Sequence, residues 1–150
     1  MTEAARYRRL TRRQTAALVI GVLALGGLAV WGSAGWADAY TAWMSDLVAA
    51  SPERAAAELQ LHLKVLSVAH CAVGWAVAAF VAWYGYRGLR AASMPPPGAW
   101  VMEGQRIREG PQAVRVSKIL MALGGAIALL STGISLTLWR LAVRASEFVR

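Results

Sequence analysis

His70 and Cys71 are the side chains in this 150-residue sequence best placed to do chemistry out of reach of water. Both sit well inside an apolar run, and an ionisable group at such depth is costly and marks a candidate functional position. His70 lies six residues past Lys64, about 9 Å along a helix at 1.5 Å per residue. Several chemistries compete for it. As an axial ligand to haem iron it needs a second ligand on the opposite face. His62 is eight residues away, about 80° round the same helix at about 100° per residue. One helix cannot place both rings on the two faces of a haem, so a partner chain would have to supply the second ligand. As a proton relay, His70 lacks an intramembrane Asp or Glu to continue the path. As a metal site with Cys71, it meets the difficulty that neighbours in sequence point about 100° apart on a helix. The plainer expectation is a neutral imidazole hydrogen-bonded to Ser131, Thr132 or Ser135 of another helix.

Little else offers chemistry. Asp38 and Asp46, or Glu53 and Glu58, pair by spacing but have no convergent His or Lys. No Walker loop, HExxH or GxSxG occurs. A single cysteine rules out an intramolecular disulfide. The expectation is a protein that is not an enzyme and has no cofactor of its own, with haem at His70 as the alternative.

The elements that position these residues are written in the charge pattern. Gln14 to Ala37, Val65 to Tyr86 and Ile119 to Trp139 contain no Asp, Glu, Lys or Arg, over 24, 22 and 21 residues. About 20 apolar residues cross a bilayer as a helix. The fold class read from this is all-α and integral to a membrane, a three-helix bundle. Its spans are 14–36, 63–86 and 119–139, joined into a single domain by an outer segment at 39–50 and a cytoplasmic loop at 87–117, with a basic tail at 140–150. The first run, with its preceding arginines and Ala37-Asp38-Ala39, has the outline of a secretory signal. It is longer than such signals need and ends in Trp31 and Trp36, so a retained helix is expected.

Basic residues set the orientation. The N-terminal tail and the second loop carry eleven of the sixteen Lys and Arg residues, against five on the other side. The positive-inside rule therefore places the N-terminus in the cytoplasm and the C-terminus outside. The net charge of +8 then reflects topology and anionic lipid rather than nucleic acid. Arginine outnumbers lysine fourteen to two, a composition typical of GC-rich bacteria, which points to a bacterial inner membrane. Arg12, Arg13, Trp36, Trp83, Arg87, Trp139 and Arg140 fall where headgroup anchors belong.

Helix association in lipid is driven by close backbone approach, which small residues permit. The second span offers Ser67, Cys71, Gly74, Ala78 and Ala82. The third offers Gly124, Ala128 and Thr132, and the first Ala17 and Gly21, then Gly26 and Gly27. Tyr40, Trp43, Met44, Leu47 and Val48 share one face of a short amphipathic helix, suited to the bilayer interface or to packing. Ser51-Pro52-Glu53 starts a helix that nothing interrupts until about Arg90.

The loop holds four of the five prolines once Pro111 is included. Pro95, Pro96 and Pro97 predict an extended polyproline-type stretch, and Gly98 a turn. Trp100 and Ile107 flank Glu103-Gly104-Gln105 as the arms of a small hairpin, closed by Gly110-Pro111. This loop is the expected partner contact. The functional expectation is an accessory or scaffold subunit of a membrane assembly, bound to a membrane-protein partner or to itself. The alternatives are a haem-binding redox anchor and a holin-like pore former.

Overall fold

In a computed structural model that describes residues 7–145, three long helices carry nearly the whole chain. They are α1 (Arg12–Ala50), α2 (Pro52–Ala91) and α3 (Pro111–Ala145), of 39, 40 and 35 residues. All three are long and apolar enough to cross a membrane. Four short strands accompany them: β1 (Arg8–Leu10), β2 (Ser93–Met94), β3 (Trp100–Met102) and β4 (Arg108–Glu109). Residues 1–6 and 146–150, with Arg6, Arg150 and the end of the basic tail, lie outside the described residues.

The helix ends follow local chemistry. Thr11 and Gln14 form a reciprocal capping box at α1. The Gln14 amide donates to Thr11 Oγ1 (3.3 Å), and the Thr11 amide donates to Gln14 Oε1 (3.0 Å). Segment 39–50, expected as a separate short helix, is the continuation of α1. No proline separates Trp36 from Ala50, and the last glycine, Gly35, sits within the helix. One residue, Ser51, parts α1 from α2, and its carbonyl accepts the Ala55 amide (3.0 Å). At its far end α2 stops at Ala92, which takes φ +46°. Glycine suits this left-handed position, and an alanine there is strained by about 1 kcal/mol or more. Ala92→Gly should therefore raise stability by about 0.5–1 kcal/mol after the entropy cost of glycine, measurable as a higher unfolding midpoint in detergent.

The chain divides into two compact units, and each helix contributes to both. The first comprises residues 1–24 and 76–128. In it α2 and α3 run antiparallel with almost no space between them. A Cβ on Gly124 would lie 2.8 Å from the Ala78 carbonyl oxygen, and one on Gly85 would lie 2.8 Å from that of Ser117. Ala78, whose carbonyl faces Gly124, is buried at this contact.

The loop in this unit is folded, but not as the expected hairpin. β3 and β4 do not pair with each other. β3 pairs in parallel with β1, with Arg8 opposite Trp100 and Leu10 opposite Met102. β4 pairs antiparallel with β2, with Ser93 opposite Glu109 and Met94 opposite Arg108. The expected tip does turn: the Gln105 amide donates to the Met102 carbonyl (3.0 Å) and Gly104 has φ +82°. Its two arms then diverge, β3 to β1 and β4 to β2. The proline run is not extended either. Pro95 and Pro96 are buried, and the Ala99 amide donates to the Pro96 carbonyl (3.1 Å). Gly98 at φ +79° sits where a type II turn needs a positive φ, after the proline such turns favour. The peptide bond before Pro95 is cis.

The second unit comprises residues 25–75 and 129–150. Here α2 and α3 meet through hydroxyl groups. Ser67, Ser131 and Ser135 are buried, and a side chain on Gly74 would collide with Ser131. The end of α1 joins α2 through aromatic rings. Tyr40, Met44 and Leu47 are half-buried, so that face takes part in packing. Between its ends α1 presents only exposed side chains, with none buried anywhere along it.

Candidate functional site

In the second unit His70 is partly buried, with Nδ1 3.2 Å from Ser135 Oγ. Ser67 Oγ donates to the Ser135 carbonyl (2.7 Å), and Trp75 Nε1 donates to Thr132 Oγ1 (3.1 Å). His70 is thus bonded to one of the three α3 hydroxyls expected for it. A polar group in an apolar surrounding needs a partner, and interhelical bonds of this kind supply it. His62 serves a different purpose. Its Nδ1 sits 2.8 Å from the Glu58 carbonyl oxygen of the preceding turn. Its ring lies against Tyr40 and Trp43 at centroid distances of 5.4 and 6.1 Å, and Trp36 stacks on Tyr40 at 5.1 Å. The two histidines are therefore held by different helices. Among the described residues no three His, Cys, Asp or Glu side chains converge as a metal site would require.

Cys71 is half-buried and stands on the wall of a groove. The groove, about 410 Å³, runs between the two helices and is lined by Ser67, Val68, Ala72, Ser135, Leu136 and Trp139, among others. Of the expected packing residues, Gly74, Ala78, Ala82 and Gly124 lie at close α2–α3 approaches within their own units. Thr132 makes its bond to Trp75, and Ala128 is half-buried. Gly21 is different, since nothing lies within 4 Å of where its Cβ would be. The same holds for Gly26, Gly27, Gly32 and Gly35. Gly85 and Gly88 also touch α3 residues at the seam, although the sequence reading passed over them. Their signal was present: Ser67, Gly74, Ala78, Gly85 and Gly88 continue one row of small residues.

In the first unit the loop is pinned by Arg87. Its guanidinium donates to the Pro97 carbonyl (2.7 Å) and lies 5.0 Å from the centroid of the Trp83 ring. Arg87 is thus a tie between helix and loop as well as a cation at a span's end. Arg8 lies over Trp100 at 5.5 Å, adding a side-chain contact to the strand pairing between tail and loop. Ile107 is half-buried, and Gly110, at φ +64°, gives its amide to the Ala92 carbonyl (2.9 Å). Arg12 borders a shallow hollow with Thr15, Met102 and Glu103, while Arg13 and Arg140 are exposed.

Ser117 and Ser93 are buried near Gly88, and neither hydroxyl has a hydrogen-bond partner among the described residues. An unsatisfied buried hydroxyl costs about 1 kcal/mol or more. Ser117→Ala should accordingly be neutral or stabilising by up to about 1 kcal/mol, seen as an unchanged or higher unfolding midpoint.

These features are those of a chain with three candidate membrane spans, whose second and third helices pack on small residues and whose polar loop is folded against its own N-terminal strand. No known protein family, no characterised protein and no solved structure matches the chain.

Proposed function

We propose that this chain is an accessory or scaffold subunit of a membrane assembly in a bacterial inner membrane, with its N-terminus in the cytoplasm and its C-terminus outside. The observation that carries the reading is α1. It is apolar enough to span, has no buried side chain, and leaves five glycines open along its length. Lipid covers apolar side chains well, but glycine rows gain most from the close approach of another helix. Open glycines of this kind are therefore suited to a helix of another chain. The joined tail and loop support the orientation. β1 and β3 share hydrogen bonds, so the two most basic segments lie on one side of any bilayer the helices cross. That is the arrangement the positive-inside rule assigns to the cytoplasm.

Two variants test the reading. Gly21→Leu fills one of these α1 positions without a clash inside the chain. Replacing 95–110 with a Gly/Ser loop of equal length removes the folded loop. Affinity purification in mild detergent should recover a partner with the wild type and much less with either variant. Full recovery with both variants would remove α1 and the loop as contact surfaces.

A further inference from the structure

The groove of the second unit carries an inference that does not depend on which assembly the chain serves. Its polar walls are already committed. Ser67 Oγ is bonded to the Ser135 carbonyl, Ser135 Oγ to His70, and Thr132 Oγ1 to Trp75. The rest of the lining is Val68, Cys71, Ala72, Leu136 and Trp139. An occupant thus finds almost no hydrogen bonds there and must be apolar along its length. At one end stands Trp139, and the Lys64 ammonium lies 5.7 Å from the centroid of its ring. Lys64, Val68, Cys71 and Ala72 follow one face of α2 at i, i+4, i+7 and i+8. This row is about 12 Å long at 1.5 Å per residue.

Lys64 is half-buried and has no carboxylate partner among the described residues. An ammonium has three donors, and the face of an aromatic ring engages it without using a hydrogen-bond acceptor. Trp139 therefore fixes the cation at the mouth of the groove and leaves donors free for an anion. The last charge before the uncharged run of α2 is this same lysine, which places it at headgroup level, where tryptophan also concentrates.

We propose that this groove is a binding site for one anionic phospholipid, with an acyl chain lying along Val68, Cys71, Ala72 and Leu136 and the phosphate held by Lys64 beside Trp139. Shape and charge each select the occupant. A soluble anion has no use for the apolar groove, and a zwitterionic lipid offers less net attraction to the lysine.

The test uses the full chain purified in mild non-ionic detergent and titrated with phosphatidylglycerol or phosphatidylcholine, with bound lipid counted by native mass spectrometry. The wild type should retain one phosphatidylglycerol in preference to phosphatidylcholine. Lys64→Gln should reduce that preference about fivefold, the effect of one lysine near an anionic surface. Ala72→Phe should reduce retention of both lipids by filling the groove. Ala72 is exposed, so this variant should keep the wild-type elution volume. Arg144→Gln, which lies outside the groove lining, should change neither. A wild type that prefers neither lipid, or a Lys64→Gln protein with the full preference, overturns the proposal. So does an Ala72→Phe protein that elutes as wild type and retains lipid equally. The lysine result stands by itself if the phenylalanine variant fails to fold.

Discussion

Gly124→Leu should be among the most damaging single changes in the chain, costing about 3 kcal/mol and broadening the size profile in mild detergent. The reason is what surrounds the position. Even a Cβ there would lie 2.8 Å from the Ala78 carbonyl oxygen and 3.0 Å from the Ala82 amide nitrogen. These are backbone atoms of a continuous helix and cannot rotate away. A leucine would have to push α2 and α3 apart, and lipid-facing side chains would gain nothing to offset the loss, because lipid is as apolar as the contact it replaces. Gly125→Leu is the matched control, since its Cβ meets nothing within 4 Å. The unfolding midpoint should fall sharply for Gly124→Leu and stay close to wild type for Gly125→Leu. Equal midpoints for both would show that the α2–α3 contact is not what holds the helices together.

Arg87→Ala should release the loop. The guanidinium makes a charge-assisted hydrogen bond to the Pro97 carbonyl and a ring contact to Trp83. Together these are worth about 2 kcal/mol at this partly exposed position. When opening is fast relative to cleavage, proteolysis follows the population of the open form. Trypsin should then cut after Arg106 or Arg108 about 30-fold faster than in wild type, the factor equivalent to about 2 kcal/mol. Arg90→Ala is the comparison. Among the described residues Arg90 only lies over Tyr86, at 5.9 Å, and its removal should change the cleavage rate a few-fold at most. A rate for Arg87→Ala no greater than that for Arg90→Ala would mean the loop is held by its strand pairings alone.

The spans were legible in the sequence because lipid imposes a single strong rule, an uncharged run of about 20 residues per crossing. The start of α2 was legible for a local reason, since Ser51-Pro52-Glu53 is capping chemistry confined to three neighbours. His70 was legible because a buried imidazole needs a partner and α3 offers few. The loop was misread because its strands have two or three residues and their partners are distant. Nothing near Trp100 announces that it will lie beside Arg8. Periodicity has no purchase on segments so short, and the contiguous arms around Gly104 suggested a hairpin by proximity alone. The turn at Gly98 was legible, because Pro97-Gly98 is the central pair that a type II turn favours; that the Arg87 contact to the Pro97 carbonyl would hold it was not. The open glycines of α1 illustrate a different limit. A row of small residues shows that a helix can be approached closely, and not which chain approaches it.

The claim that α1 and the folded loop serve a partner is tested most directly by the mass of the protein extracted from its native membrane in mild detergent. The account predicts a stoichiometric complex heavier than the 16.1 kDa chain that contains at least one further membrane polypeptide or a second copy. A homogeneous 16.1 kDa species carrying only lipid, under conditions that preserve other assemblies from the same membrane, would contradict it.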